Sequence, residues 1–179
     1  ISTKGADQQS RCIKGDYKED DFYLRTNCIM LPDTIAHNVI GEIKGSELPD
    51  EIITIGGHLD SWDAAEGASY DGSGLVQSIE ILRVFNAVGY KPKRTIRVVL
   101  FANEENGLRG GNKYADEAKA KNEKHIFALE SDAGGFTPRA LGFSGNEEQF
   151  KKFLSWKGLI APYGCSEFIN GGGGADIGP

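Results

Sequence analysis

Three short apolar segments, each closely followed by histidine or acidic residues, constrain most strongly how this chain folds. They span residues 52–56, 95–102 and 125–129. A short run that is apolar at nearly every position is typical of a strand buried on both faces, as in a parallel sheet. Helical patterns lie between the runs, so strands and helices alternate. This alternation predicts an α/β fold, a three-layer sandwich with a mostly parallel central sheet.

The first helical pattern begins at the sequence DGSG, residues 71–74, and is expected to end at Gly89. Its apolar stripe, which we expect to face the sheet, consists of Leu75, Ile79, Leu82 and Val88. The same kind of pattern predicts a strand within 37–45, a turn at Pro49-Asp50, a helix over 113–121, a strand over 141–143, a helix over 147–156 and a loop over 171–174.

Acidic residues outnumber basic ones, 26 to 20, and give a net charge of −6. This charge disfavours nucleic acid and anionic lipid as partners. The longest apolar run, 98–102, is far shorter than the roughly 18 residues that a membrane span needs. We therefore expect no nucleic acid and no membrane as partner. Cys12, Cys28 and Cys165 form no CxxC metal motif, and their disulfide state stays open.

Polar residues concentrate where the predicted strands and the first helix meet. In an open α/β sheet, ligands bind in the crevice outside the carboxyl ends of the strands. Residues in these positions are therefore candidates for a functional site. The candidates are His58, Asp60, Asp71, Glu104, Glu105 and Asp132.

Each candidate also has a structural interpretation. A histidine after a strand is commonly a hydrogen-bonded loop residue, and Asp71 suits the N-cap of the following helix as well as a metal. Adjacent glutamates are commonly a solvated pair. Glu104 and Glu105, however, directly follow a predicted buried strand, where two repelling carboxylates are costly without a cation. Several such placements together favour a metal site.

Imidazole and carboxylates without a thiolate suit zinc or a comparable divalent ion. Four or five ligands allow two ions that share a bridging carboxylate and activate a water between them. Adjacent residues at a strand end point in different directions, so one of Glu104 and Glu105 can bind metal while the other acts as general base. Asp60 is placed to orient the His58 imidazole.

Four motifs occur in order along the chain: GGHLDSWD at 56–63, YDGSG at 70–74, FANEENG at 101–107 and ESDAGG at 130–135. Together they resemble the motifs of the di-zinc exopeptidase family, which includes bacterial leucyl aminopeptidases and glutamate carboxypeptidases. Within that family the chain resembles the carboxypeptidase Q branch. The resemblance covers about residues 34–179 and implies a fold of the zinc exopeptidase type.

The resemblance implies a reaction, the hydrolysis of terminal peptide bonds of peptides or dipeptides by a metal-activated water. Glu104 is then the general base, and Asp60 is the partner of His58. His37 and His125 are expected to be structural. Two zinc ions are implied, with His58 and Asp132 on one ion, Glu105 on the other and Asp71 as the bridge.

The resemblance also implies how the chain is organised. Residues 1–33 are expected to be a tail or the trailing edge of a preceding protease-associated domain, and residues 34–179 a C-terminally truncated catalytic domain. The family uses a second ligand histidine, which we expect beyond Pro179. Whether this stretch is active alone stays open. Asp176 is expected to cap a helix or form a turn, and it is not assigned as a ligand.

The expected partner is a peptide substrate, with a homodimer as one assembly considered, and the expected location is secreted or periplasmic. Two other functions stay open, a single-zinc acyl transferase like glutaminyl cyclase and a catalytically inactive peptidase-like binding domain. Retention of both His58 and Asp132 disfavours the first, because they complete a second metal position. The intact ligand set disfavours the second.

Overall fold

A computed structural model of the protein describes residues 25, 27, 29, 31–62, 65–132 and 134–179. The chain divides into two units, Ile1–Thr34 and Ile35–Pro179. Every helix and strand of the described residues belongs to the second unit. The predictions for Cys12, Cys28 and most of residues 1–33 fall outside the described residues.

A four-stranded sheet forms the centre of the second unit. Its strands are β1 (Val39–Ile43), β2 (Leu48–His58), β3 (Arg94–Phe101) and β4 (Lys124–Glu130). They are ordered β1-β3-β2-β4. β2, β3 and β4 are parallel, and β1 is antiparallel to β3. The three apolar runs form β2, β3 and β4, so the prediction of a mostly parallel sheet is confirmed.

Helices cover both faces of the sheet. The two helices are α1 (Gly72–Ala87) and α2 (Arg109–Ala120). Leu82 of α1 lies over Gly41 of β1, which pairs with Val98 of β3. Tyr114 of α2 instead contacts the ring of Phe101, whose side chain points to the opposite face from Val98 because successive side chains of a strand alternate. The sheet is therefore the middle layer of three, as predicted.

The ends of α1 lie where the sequence predicts them. Asp71 is the N-cap and accepts a hydrogen bond from the Gly74 N–H. The helix ends at Ala87, and Gly89 follows with a φ of +65°, a conformation that glycine adopts at little cost.

The packed face of α1 differs from the prediction. Ile79 and Val88, expected to face the sheet, are 50% and 70% exposed. Ser78 is buried instead, and its hydroxyl donates to the Gly56 carbonyl of β2 at 3.2 Å. A small residue lets the helix approach the strand closely, so the apolar pattern is right for the partly buried Leu75 and Leu82 and wrong for Ile79 and Val88.

Two strands also differ from the prediction. Pro49 and Asp50, expected as a turn, lie inside β2, where the pairing register shifts between Leu48 and Ile52. A register shift relieves a proline of the ladder hydrogen bond that it cannot donate. β4 is an edge strand among the described residues, and its Ile126 is exposed. The prediction that this strand is buried on both faces is therefore wrong.

The C-terminal part adds a small parallel pair of strands and four short helical segments. Phe153, 5% exposed, packs against the rings of Phe143 and Phe168 at centroid distances of 4.9 and 4.8 Å. The predicted strand and helix near 141 and 147 are confirmed, although the helix ends earlier. The elements are β5 (Ala140–Phe143), α3 (Glu147–Leu154), α4 (Lys157–Ile160), a 3-10 turn (Ala161–Tyr163), β6 (Glu167–Asn170) and a 3-10 turn (Ala175–Ile177).

A polar network joins the strands at the end of the sheet away from the candidate site. Arg97 of β3 donates to Glu42 at 2.9 Å, to Glu123 at 2.6 Å and to the Tyr114 hydroxyl at 3.1 Å. His125 Nε2 lies 3.1 Å from Glu123 Oε2, in agreement with the structural role expected for this histidine. The network ties β1 and β3 to α2 and to the start of β4.

Two further findings concern the described part of the chain. None of its helices combines the length and the apolarity that a membrane crossing demands. Cys165 is a buried free thiol. It therefore forms no disulfide with another described residue.

Candidate metal centre

The carboxyl ends of three parallel strands meet at one edge of the sheet. His58, the last residue of β2, pairs with Phe101, the last residue of β3, and Gly56 of β2 pairs with Glu130, the last residue of β4. The loops that leave β3 and β4 therefore start beside His58. They carry Glu104, Glu105 and Asp132, which the sequence predicted at this edge.

His58 is fully buried and held in one orientation. Its Nδ1 donates to the backbone carbonyl of Asp60 at 2.8 Å, because a carbonyl can only accept. Nε2 is left facing Asp132 Oδ1 at 3.1 Å and is available as a metal ligand. Burial lowers the pKa of His58, but the Asp60 carbonyl and the charges of Asp71, Asp132 and Glu104 outweigh it, so the pKa is raised overall.

Asp71 is enclosed at the start of α1. Its Oδ2 accepts the His58 N–H at 2.9 Å and its Oδ1 accepts the Gly74 N–H at 3.1 Å. A Cβ at Gly57 or Gly74 would collide with this carboxylate. Burial, reinforced by the charge of Asp132, raises the pKa of Asp71 to about 6 against the amide hydrogen bonds. Of the two interpretations of Asp71, the helix cap is present in the structure, and the bridging role stays a prediction.

Asp60 fixes the two glutamates. Its Oδ1 accepts the Glu104 N–H at 2.9 Å and its Oδ2 accepts the Glu105 N–H at 3.2 Å. Its contact with His58 is made by the backbone carbonyl, while its Oδ1 lies 3.7 Å from Nδ1. Asp60 therefore orients His58 with its main chain and positions Glu104 and Glu105 with its side chain.

Two groups of side chains in the described part of the chain are close enough to hold a metal ion. His58, Asp71 and Asp132 form one, and His58, Glu104 and Glu105 form the other, with ligand atoms within 4.8 Å of one another in each. Glu105 Oε1 is buried and has no hydrogen-bond partner. A buried carboxylate oxygen without a donor beside a free imidazole nitrogen fits a divalent cation.

Glu104 is partly buried beside the same histidine. Burial raises its pKa, and the charges of Asp132, Glu105 and Asp60 raise it further, while His58 opposes them. An upward shift moves the pKa of a carboxyl group in the direction that favours general acid–base catalysis.

Sequence reasoning missed two buried carboxyl groups next to this site. Asp176 is 3% exposed, neither of its oxygens has a hydrogen-bond partner, and burial together with the charge of Glu104 raises its pKa to about 6. It lies inside the 3-10 turn Ala175–Ile177 and caps no helix, so of the two roles predicted for it the structure shows the turn. Burial and the charges of Asp176 and Asp132 raise the pKa of Glu130 to about 8. The position of Glu130 at a strand end, two residues before Asp132, was the available signal.

Tyr70 is a third residue that the prediction did not assign. Its ring lies edge-on to the His58 ring with centroids 5.2 Å apart. Tyr70 is 41% exposed; the burial of the remaining part, together with the charges of Asp132, Glu104 and Glu105, raises its pKa to about 12. The phenol is therefore a neutral donor among carboxylates.

Comparisons with known proteins identify the family of this chain. The profile of peptidase family M28 matches residues 38–170, and the chain belongs to that family. Carboxypeptidase Q of Rattus norvegicus is 35% identical over 178 residues, which are 99% of this chain and 37% of that protein.

Solved structures show the same fold. A peptidase M28 precursor from Shewanella amazonensis SB2B has a TM-score of 0.71 and 41% identity, over 78% of this chain and 32% of that chain. BSAP, a zinc aminopeptidase from Bacillus subtilis, has a TM-score of 0.56 and 25% identity, over 78% of this chain and 36% of that chain. The chain thus spans 32% to 37% of the length of these three relatives.

Proposed function

We propose that this chain is part of a zinc-dependent exopeptidase that hydrolyses terminal peptide bonds of peptides or dipeptides. The convergence of buried His58 with carboxylates at the ends of three parallel strands carries the proposal. Membership of peptidase family M28 supports the reaction class. The printed name of the Bacillus subtilis relative, a zinc aminopeptidase, supports the metal.

The proposed zinc ligands are His58, Asp71 and Asp132 at one metal position and Glu105 at the other. His58 Nε2 and Asp132 Oδ1 lie 3.1 Å apart, close to the roughly 3.3 Å that separates two ligands of a tetrahedral zinc ion with bonds of about 2.0 Å. Glu105 contributes a buried oxygen that lacks a donor. Asp71 belongs to the same group as His58 and Asp132, and each of its oxygens accepts one backbone N–H and keeps a lone pair for a metal ion, so we propose it as the bridging ligand.

Glu104 is the proposed general base. When bound, zinc supplies Lewis-acid activation of a water and of the scissile carbonyl. Glu104 accepts the proton of the attacking water and passes it to the leaving amine. Asp60 keeps the Glu104 carboxyl in place through the backbone N–H of that residue, and the raised pKa of Glu104 favours its return of the proton.

The substitution Glu104→Gln tests whether Glu104 acts as the general base and not as a zinc ligand. In zinc-loaded protein we expect this substitution to lower kcat by roughly 10²- to 10⁴-fold, with zinc per chain unchanged by elemental analysis. Glu117→Gln, at an exposed position of α2, is the matched control and keeps the wild-type rate. Near wild-type hydrolysis by Glu104→Gln overturns the assignment of the base.

The substrates in the assay separate the alternatives. Short peptides blocked at the amino or the carboxyl terminus distinguish a carboxypeptidase from an aminopeptidase. Cyclisation of peptides with an amino-terminal glutamine, without release of amino acids, would favour the acyl transferase. Zinc binding without either reaction would favour a binding domain.

The remaining parts of the proposal concern the location and the assembly state of the protein. A secreted or periplasmic location and a homodimer follow from the family resemblance and are proposed on that basis. Fractionation of the native cells and light scattering of the purified protein test them.

A further inference from the structure

The loop that carries Glu104 and Glu105 has an unfavourable backbone conformation near both of its ends. It covers residues 102–108, from the end of β3 to the start of α2. Asn103 and Leu108 have φ values of +62° and +55°. This left-handed conformation is disfavoured for a leucine, and it persists only where surrounding contacts hold the backbone in place. The two glutamates therefore lie between positions that need support from outside the loop.

Asn38, the residue before β1, contacts both ends of this loop. Its Oδ1 accepts the Ala102 N–H at 2.9 Å, and its Nδ2 donates to the Gly110 carbonyl at 2.9 Å. Ala102 and Gly110 are also bonded to each other, since the Gly110 N–H donates to the Ala102 carbonyl at 2.9 Å. The amide of Asn38 therefore links the end of β3 to the first turn of α2.

The sheet brings Asn38 to this point. Val39 pairs with Leu100 in the antiparallel ladder of β1 and β3, so Asn38 lies beside the end of β3. Its side chain is partly buried. A Cβ at Gly110 would collide with Asn38 Oδ1 and with the Ala102 carbonyl, so the absence of a side chain at position 110 makes room for the contact.

We propose that Asn38 is a positioning residue of the metal centre. Asp60 holds the middle of the loop through the N–H groups of Glu104 and Glu105, and Asn38 holds the two ends. When the ends are released, the left-handed residues relax, and both glutamates move away from the positions that their roles require. The inference rests on the proposed zinc peptidase function, and it adds a residue that none of the four sequence motifs contains.

Two substitutions of Asn38 test the inference. Asn38→Ala removes both hydrogen bonds. Asn38→Asp keeps the oxygen that accepts the Ala102 N–H, but it turns a second oxygen, which has no proton to donate, towards the Gly110 carbonyl. It therefore breaks only the link across the loop, and it decides the test by itself if Asn38→Ala does not fold.

Thr95→Val is the matched control. The Thr95 hydroxyl also joins two backbone groups, because it accepts the Gly45 N–H at 3.1 Å and donates to the Pro49 carbonyl at 2.7 Å. These bonds lie at the other end of β3, away from the two glutamates. We expect the control to have a lower Tm and to keep the wild-type zinc affinity and kcat.

Zinc affinity from calorimetric titration is the deciding measurement. We expect both Asn38 variants to bind zinc roughly 10- to 100-fold more weakly than the wild type. The added negative charge of Asn38→Asp by itself strengthens the attraction for a cation, so weaker binding by this variant has to come from the broken link. In zinc-loaded protein we also expect a lower kcat at an unchanged KM, as for the loss of an interaction that acts in the transition state.

Two results would overturn the inference. One is wild-type zinc affinity in a folded Asn38→Asp, and the other is an equal loss of affinity in Thr95→Val, which would show a general effect of lowered stability. A wild type that binds no zinc would overturn the proposed function, and the inference with it, so the two failures are distinguishable.

Discussion

The backbone carbonyl of Asp60 accepts a hydrogen bond from Nδ1 of His58 at 2.8 Å. This contact fixes the tautomer and turns Nε2 towards Asp132 Oδ1, 3.1 Å away. The same aspartate holds the loop after β3 with its side chain. One residue thereby couples the orientation of the histidine to the placement of Glu104 and Glu105.

Asp60→Asn tests this coupling. The variant keeps one acceptor oxygen, so one of the backbone N–H groups of Glu104 and Glu105 loses its partner, at a cost of about 1–3 kcal/mol. We expect a lower Tm and roughly 10- to 100-fold weaker zinc binding by calorimetric titration. Asp116→Asn, exposed on α2, is the control. Equal zinc affinity in the two variants would contradict the coupling.

Arg97→Lys tests the network at the other end of the sheet. A lysine cannot reach Glu42, Glu123 and Tyr114 at once, since it lacks the planar fork of donors. The Arg97 side chain is 11% exposed, so we expect a loss of about 2–4 kcal/mol in the free energy of unfolding, measured in urea. Zinc affinity should stay at the wild-type value. A changed affinity with unchanged stability would count against a purely structural network.

Glu130 gives the metal-free protein a defined pH dependence. Its pKa is about 8 in the folded chain against an ordinary value of 4.5. Between these values the folded state binds more protons than the unfolded state, so the contribution of Glu130 to stability falls as pH rises from 4.5 to 8.

Thermal melts of the metal-free protein at pH 5 and pH 8 measure this slope. We expect the Tm to fall with rising pH in the wild type and to fall less in Glu130→Gln, which cannot ionise. Glu148→Gln, exposed on α3, should keep the wild-type slope. An identical slope in Glu130→Gln would contradict the raised pKa of Glu130.

The sequence predicted the sheet and the location of the site for the same physical reason. Continuous apolar runs fix β2 and β3 as buried parallel strands, and parallel strands bring their carboxyl ends to one edge. The acidic residues after those runs therefore had to meet near His58. This meeting of acidic residues near His58 could be predicted without knowing which strands pair with each other.

Contacts made by small or distant residues could not be predicted. Ser78 sets the packed face of α1 through one hydrogen bond to Gly56, and no periodicity encodes it. Asp176 reaches the site from the end of the chain through a run of glycines that carries no pattern. The cap role and the ligand role of Asp71 use the same residue type at the same position, and the hydrogen bonds of the structure show the cap role without excluding the other.

The position of a zinc ion tests the central claim most directly. Crystals of the zinc-loaded protein, measured on both sides of the zinc absorption edge, should give an anomalous peak within bonding distance, about 2.0–2.2 Å, of His58 Nε2 and an oxygen of Asp132. Zinc bound elsewhere, or a His58 ring that makes no bond to zinc in a fully loaded protein, would contradict the account.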